Sequence, residues 1–482
     1  MSSTKENDVP EPMDLEELRE AGYKLVDWLV SYHSRVAQLP VMSRLGPGDV
    51  RDTLASSPPS IGEDYDRIVA DLDKVIVPGL LHWQSPNFYG FFPANISPAS
   101  IVGDLVSSGL GVQGMNWQTS PSCTELESLV LDWLVEMLGL PEIFLSSGDG
   151  GGVIQDSASS ATLCALLAAR ERESGYSSRE EGVQSRFTAY ASEEAHSSID
   201  KAVAIVGLGR RRLRKIPVDS VFAMDAKKLR TAMQQDVDSG RKPIFVCATV
   251  GTTSSLAIDP IEEIAEICQE FGVWLHVDAA MAGTAALCEE FRYLNSGLER
   301  VDSYCFNPHK WMITNFDCSC FYVADREPLI RALSVMPDYL RNDVSDSGAV
   351  VDYRDWQIPL GRRFRSLKLW FVIRRYGTQY LSGLVRKHIS LAERFANWVI
   401  ADPRFELSVP RQLNLVCFRK KGSDESNKRL ERKLNESGDL FLTSTRLYDK
   451  HVLRFCVGQA NTHIRHVEAA WKKIVEIAED VS

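Results

Sequence analysis

The chain has no apolar run of the ~18 residues needed to cross a bilayer, and residues 1–12 are polar and acidic with no apolar stretch of the kind a secretory leader carries. A cytoplasmic protein without a membrane partner is expected. Positive charge is also short: 54 Lys and Arg stand against 65 Asp and Glu, for a net charge of −11. General nucleic-acid binding rests on neutralising phosphates, so this balance speaks against it. One basic run, Arg210-Arg-Arg-Leu-Arg-Lys215, goes the other way but carries no interleaved aromatic, and it reads as a solvated turn. Cysteine is scarce, ten in 482 residues, and falls mostly inside apolar segments such as Leu415-Val-Cys417, as reduced core thiols do. Cys318-x-Cys320 has no second cysteine or histidine pair nearby, so no metal site is expected. No internal repeat is present.

What is there is an ordinary globular composition, 44% hydrophobic and 25% charged, long enough for two or three domains. Residues 1–85 look helical. Asp14-x-x-Glu17 resembles a capping box, and Leu15, Leu18, Gly22, Leu25, Trp28 and Leu29 follow at helical spacing. Such a stripe needs a partner surface, on another subunit or on the main body. Residues 86–376 alternate apolar strands (187–191, 244–250, 274–278, 303–306 and 320–323) with amphipathic helices such as 161–172 and 260–271. That alternation predicts an α/β domain whose mostly parallel sheet is covered on both faces. The polar stretch 342–348 reads as a loop. From 377 the pattern becomes a long helix, two strands (413–419 and 452–457) and a closing helix from His463, a smaller α+β domain.

Four features of the middle segment follow predicted strands or start helices, where ligands bind in open α/β sheets. Gly148-Asp-Gly-Gly-Gly152 followed by Ser157-Ala-Ser-Ser160 suits a phosphate, because glycines admit close approach and a helix start offers free N–H groups. No Gly-Lys-Ser/Thr follows, so a Walker-type nucleotide site is not supported. Asp278, in His276-Val-Asp-Ala-Ala280, ends an apolar strand and needs a partner such as a pyridinium nitrogen, or else is a satisfied structural carboxylate. Lys310, in Asn307-Pro-His-Lys-Trp311, is placed for Schiff-base chemistry, though a lysine with a snorkelling stem is the commoner case. His196 follows a strand in Ser192-Glu-Glu-Ala-His196, where a lone histidine is more often structural. Together they supply a phosphate cradle, a ring-stacking histidine, a carboxylate for a ring nitrogen and, 32 residues after it, a reactive amine.

These motifs, with His82-Trp-Gln-Ser-Pro86, Thr124-Glu-Leu-Glu127, Ala248-Thr-Val-Gly-Thr-Thr253 and Asp352-Tyr-Arg-Asp-Trp-Gln-Ile-Pro-Leu-Gly-Arg-Arg-Phe-Arg365, make the chain resemble the aromatic-L-amino-acid decarboxylases, pyridoxal-phosphate enzymes of fold type I, over nearly its whole length. The resemblance implies that Lys310 forms the internal aldimine with pyridoxal 5'-phosphate, that Asp278 keeps the pyridine nitrogen protonated, and that His196 stacks on the ring. It further implies that Ala158, Ser159 and Asn307 contact the phosphate, that Thr253, Ala280 and His309 lie beside the cofactor, and that Leu360 and Gly361 reach into a neighbouring subunit's site in a homodimer. Tyr339 matches the family's mobile-loop tyrosine, which protonates Cα after carbon dioxide leaves. Related aldehyde synthases carry phenylalanine there or change the stacking histidine; this chain keeps both Tyr339 and His196, which favours the amine product. Trp83, Phe91, Phe92, Pro93 and Met115 are expected to wall an apolar pocket for an aromatic side chain. Gly361 leaves room for an indole, so tryptophan-like substrates are expected, with tyrosine, dopa or phenylalanine open.

Met281 stands where tyrosine is usual in the family, Asp156 and Ser160 replace a common glycine and glutamate, and Ala94 stands where threonine can occur, departures that bear on fine substrate preference. An acidic-amino-acid decarboxylase or an aminotransferase would call for an arginine that the sequence does not point to. Retention of Lys310, Asp278, His196 and Tyr339 together speaks against a non-catalytic scaffold.

Overall fold

A computed structural model describes residues 14–335 and 350–481. Tyr339 and the loop expected at 342–348 lie outside these. The central layer is a seven-stranded sheet in the order β1-β7-β6-β5-β4-β2-β3, built from β1 (Gly151–Gln155), β2 (Phe187–Ser192), β3 (Leu213–Ile216), β4 (Lys242–Thr249), β5 (Trp274–Asp278), β6 (Ser303–Phe306) and β7 (Ser319–Val323). Strands β6, β5, β4, β2 and β3 run parallel, while β7 is antiparallel to both its neighbours. The expected mostly parallel α/β sheet is present. β2, β5 and β6 are buried at every position, which is why each reads as a continuous apolar run rather than an alternating one. Helices Ala158–Glu173 and Ser198–Ile205 cover one face, packed through Ala161, Ala165, Leu166, Ile199 and Val203. Helices Ile261–Phe271 and Pro121–Leu138 contribute to the core on the other.

Two edge strands of this sheet escape sequence reading, as do both edge strands of the smaller C-terminal sheet, Phe405–Leu407 and Thr443–Leu447, where only two strands were expected. β3 takes up the second half of the basic run, so Arg210–Arg212 is a short 3-10 turn but Leu213–Ile216 pairs with β2. β1 begins inside the glycine run expected to cradle a phosphate. Its glycines serve packing instead: a Cβ on Gly150 would lie 1.9 Å from the Ile143 carbonyl, and one on Gly152 would lie 2.8 Å from the Tyr322 ring. The phosphate expectation therefore falls on the Ser157–Ser160 half of the motif alone.

The C-terminal part carries a four-stranded antiparallel sheet, order β10-β11-β9-β8, from β8 (Phe405–Leu407), β9 (Leu415–Lys420), β10 (Thr443–Leu447) and β11 (Lys450–Cys456). Its own core joins Phe395, Phe418, Phe455, Leu453 and Ile474. The long helix Arg365–Ala401 leads into it and is broken at Gly377, where φ is 67°. At the other end, helix Leu15–Arg35 is capped by the Asp14 carboxylate, which accepts from the Glu16 and Glu17 N–H groups. The start of its apolar stripe is uncovered within one chain, with Leu15 69% and Leu18 60% exposed, while Leu25, Trp28 and Leu29 are half-buried.

One buried charge cluster dominates the sheet's β3 edge. Asp236 accepts two hydrogen bonds from Arg214 (2.9 and 2.8 Å), one from Arg241 (3.1 Å) and one from the Tyr190 hydroxyl (2.7 Å). Burial pushes the Asp236 carboxyl up, but these donors overcome it and hold it at about 2. A depressed carboxylate contributes stability above its unfolded value and loses it as pH falls through its folded value. Asp236→Asn is expected to cost about 2–4 kcal/mol near neutral pH. In urea titrations the gap between wild type and variant should narrow from pH 5 toward pH 2; a gap that stays constant with pH would contradict this assignment.

Candidate active site

The C-terminal ends of β4, β5 and β6 and the start of helix Ala158–Glu173 converge on a hollow of about 200 Å3. It is lined by Ser157, Ala158, Ser159, His196, Thr249, Thr253, Asp278, Ala280, Asn307, His309 and Lys310, with Phe92, Gly251, Met281 and Phe316 completing the wall. Each side chain arrives for a local reason. Asp278 is the last residue of β5, and its Oδ1 accepts the Ala280 N–H at 3.0 Å. Lys310 lies in the one-turn helix Pro308–Trp311 directly after β6. At the helix start Ser157 is the N-cap, accepting from Ser160, which leaves the Ala158 and Ser159 N–H groups without an intrahelical acceptor.

Lys310 is held from both sides of the chain. Asn95 donates to the Lys310 carbonyl (2.8 Å) and to the Gly458 carbonyl (2.7 Å), while its own N–H bonds to the His309 carbonyl (3.1 Å). The following Trp311 indole donates to His388 Nδ1 at 2.9 Å, anchoring the turn to the long helix. Burial lowers the Lys310 amine, opposed by the attraction of Asp278, so a larger share is neutral and nucleophilic than for a surface lysine. Its Nζ lies 5.4 Å from the centre of the Phe92 ring.

The histidines are neutral donors. His309 Nδ1 accepts the Cys318 N–H at 2.9 Å, which places the proton on Nε2, and burial with the nearby Lys310 charge pushes the ring down to about 3. His196 Nδ1 accepts the Ser198 N–H at 3.2 Å; its own shift is also downward, from burial. Asn307 Oδ1 accepts the Ser319 hydroxyl at 2.7 Å.

Of the expected substrate wall, only Phe92 borders the hollow within one chain. Phe91 stacks on Trp83 with ring centres 5.5 Å apart, and Pro93 packs against Gly458. Met115 offers its carbonyl to the Arg354 N–H, and Leu360 and Gly361 sit on the exposed surface. Phe91, whose N–H donates to the Thr443 hydroxyl at 3.0 Å, and Pro93, against Gly458, are held by the C-terminal part, which no local pattern encodes. Sequence reading missed five residues, among them Phe316, which completes the wall beside Phe92. Thr249 and Gly251 follow the same strand-end logic as Asp278 and were legible in principle. Asn95 joins segments 363 residues apart and had no local signal. Arg454 is the arginine the sequence did not point to: buried, 5.3 Å from the Phe92 ring centre, bonded to the Ser254 carbonyl (3.1 Å) and the Thr443 hydroxyl (3.1 Å), with Nη2 unpartnered.

Residues 47–421 match the model of the pyridoxal-dependent decarboxylase conserved domain. The chain is 44% identical to a phenylacetaldehyde synthase of Arabidopsis thaliana, covering 98% of this chain and 97% of the relative. It is also 44% identical to tryptophan decarboxylase 2 of Oryza sativa subsp. japonica, at 98% and 96% coverage. The crystal structure of Oryza sativa TDC with PLP and tryptamine superposes with a TM-score of 0.95 at 41% identity, covering 98% of this chain and 100% of that one. The hollow fits pyridoxal phosphate by its own chemistry. An amine stands beside a carboxylate; free N–H groups and hydroxyls at a helix start suit a phosphate; and the Thr249 Oγ1 on the wall is buried without a partner. Family model, relatives and donor set agree that this chain belongs to the pyridoxal-dependent decarboxylases and is a pyridoxal-phosphate-dependent carboxy-lyase.

Proposed function

We propose that the chain decarboxylates aromatic L-amino acids, tryptophan-like ones foremost and tyrosine, dopa or phenylalanine as further candidates, to the arylalkylamine and carbon dioxide. The observation that carries this is the hollow itself: Lys310 and Asp278 share it with an apolar wall of Phe92, Phe316 and Met281. Bound pyridoxal phosphate supplies an electron sink for the pair released when the Cα–carboxylate bond breaks. Lys310 Nζ would be the attachment point, with the Asp278 carboxylate available to a ring nitrogen, His196 to the ring, and Ala158, Ser159 and Asn307 to the phosphate, and with Thr253, Ala280 and His309 alongside. Tyr339 donates its phenolic proton to the substrate Cα, and this step makes the product an amine.

The relative named phenylacetaldehyde synthase favours a second reading, decarboxylation with oxidative deamination, in which oxygen and water are consumed and the products are the aldehyde, carbon dioxide, ammonia and peroxide. Tyr339 decides between the two. The purified holoenzyme, given tryptophan, 5-hydroxytryptophan, tyrosine, dopa, phenylalanine and glutamate separately, should yield amine and carbon dioxide from the aromatics. Abundant aldehyde and peroxide would reject the amine reading, and turnover of glutamate alone would reject the aromatic pocket. Tyr339→Phe is expected to divert most of the product from amine to aldehyde, with peroxide formed and oxygen consumed in step; unchanged amine yield would remove Tyr339 from this role.

The active unit in this reading is a homodimer. Its support is the uncovered start of the stripe of helix Leu15–Arg35 together with Val102, Leu105, Leu110 and Leu129, all exposed on helices Pro98–Leu110 and Pro121–Leu138. Leu360 and Gly361, exposed in one chain, would complete a neighbour's pocket. Segments 1–85, 86–376 and 377–482 then act as dimerisation arm, cofactor domain and small domain. A cytoplasmic location accords with ten buried, unpaired cysteines. No helix among the described residues is long and apolar enough to cross a membrane.

A further inference from the structure

Behind Asp278, on the face of the sheet covered by helix Ala158–Glu173, lies a buried row of polar groups that direct cofactor chemistry does not use. β5 and β6 run parallel in the register His276↔Ser303 and Asp278↔Cys305, so these four side chains share one face, with Trp274 preceding them. All are nine-tenths or more buried. The Trp274 indole N–H, a donor only, lies 2.8 Å from Ser303 Oγ. Ser303 Oγ lies 2.9 Å from His276 Nδ1. His276 Nε2 lies 3.4 Å from Thr162 Oγ1 and 3.8 Å from Cys305 Sγ, and Cys305 Sγ lies 3.9 Å from Asp278 Oδ1.

The donor inventory gives the row a direction. Ser303 accepts from tryptophan, so its single hydroxyl proton goes to its other partner, His276 Nδ1. Burial pushes His276 down to about 4, against the attraction of Asp278, so the ring is neutral and its one proton sits on Nε2. That N–H points to Thr162 and Cys305, and the Cys305 S–H points to Asp278 Oδ1. With Ala280 N–H also on Oδ1, both protein donors fall on one oxygen, and no described donor reaches Oδ2.

We propose that Trp274, Ser303, His276 and Cys305 form a directed hydrogen-bond chain that fixes the rotamer of Asp278 and presents its Oδ2 to the cofactor ring, making Cys305 and His276 positioning residues for cofactor binding. The bland alternative is packing: a serine, a cysteine and a histidine that merely fill the space under the helix. Substitution separates the two, since packing needs only volume whereas the chain needs a donor at position 305.

The test measures pyridoxal phosphate rather than turnover, so it stands apart from the substrate reading above: failure of the wild-type holoenzyme on aromatic amino acids would sink that reading and leave this one intact. Dissociation constants for pyridoxal phosphate and the visible circular dichroism of the bound cofactor are compared for wild type, Cys305→Ala, Cys305→Ser and Ser303→Ala. Cys305→Ala and Ser303→Ala are expected to weaken binding about three- to tenfold and to alter the dichroic band, as loss of a hydrogen bond in a row ending on a carboxylate should. Cys305→Ser restores a donor and is expected within about twofold of wild type on the same scale. In an Asp278→Asn background the effect of Cys305→Ala should vanish, because the row acts through that carboxylate. Unchanged affinity and dichroism in Cys305→Ala, equal losses in the alanine and serine variants, or a full-sized effect in the Asp278→Asn background would each overturn the proposal.

Discussion

Lys310→Ala is expected to lower turnover of aromatic amino acids by at least about a thousandfold, the scale on which enzymes lose activity when a covalent attachment point is removed. Lys310 is the only lysine lining the hollow among the described residues, so no neighbour can substitute. Its environment is specific as well. The amine is lowered by burial, its backbone carbonyl is clamped by Asn95, and the next residue is tethered to His388. Reduction of the wild-type holoenzyme with borohydride, followed by peptide mass analysis, should place a pyridoxyl adduct on Lys310, and the variant should show none. An adduct that persists on another residue, or turnover within tenfold of wild type, would remove Lys310 from its assigned role.

Asp278→Asn should lower turnover by about a hundredfold or more while leaving the fold intact. Asparagine keeps the shape and can still accept the Ala280 N–H, but it removes the only carboxylate lining the hollow among the described residues. A buried charge paired with a developing or fixed positive charge contributes several kcal/mol, and each 1.4 kcal/mol is tenfold in rate. The variant should still bind pyridoxal phosphate, with an altered absorption band. A turnover loss below fivefold would mean that the ring nitrogen does not depend on this carboxylate.

How much of this could be read from residues alone depended on whether a feature was local. β2, β5 and β6 were legible because a strand buried on both faces is mostly apolar, and Asp278 and Lys310 stood out because a charge at or just after the end of such a strand needs a reason. β1 and β3 were not. One starts within glycines whose role is to let the Tyr322 ring and the Ile143 carbonyl approach, and the other is half arginine and lysine because it lies at an edge. The substrate wall was the least legible part. Phe91, Pro93 and Met115 are aromatic or apolar as expected, but the packing of remote segments decides which of them face the hollow. Arg454 shows the same limit: it lies in β11, in the four-stranded sheet, whereas Lys310 follows β6 of the seven-stranded one, and only tertiary structure brings it to the Phe92 ring.

The Asn95 clamp has a consequence for biosynthesis. It joins the Lys310 turn to Gly458, and Ala460 donates its N–H back to Asn95 Oδ1, so the lysine's seat is built from parts 148 positions apart (458 minus 310). At about 5–20 residues per second, a ribosome needs roughly seven to thirty seconds to span that interval. During that time the large sheet can form while Lys310 lacks its final anchor. A chain truncated before Gly458 should therefore emerge with its central sheet made but with the Asn95 clamp on its lysine incomplete.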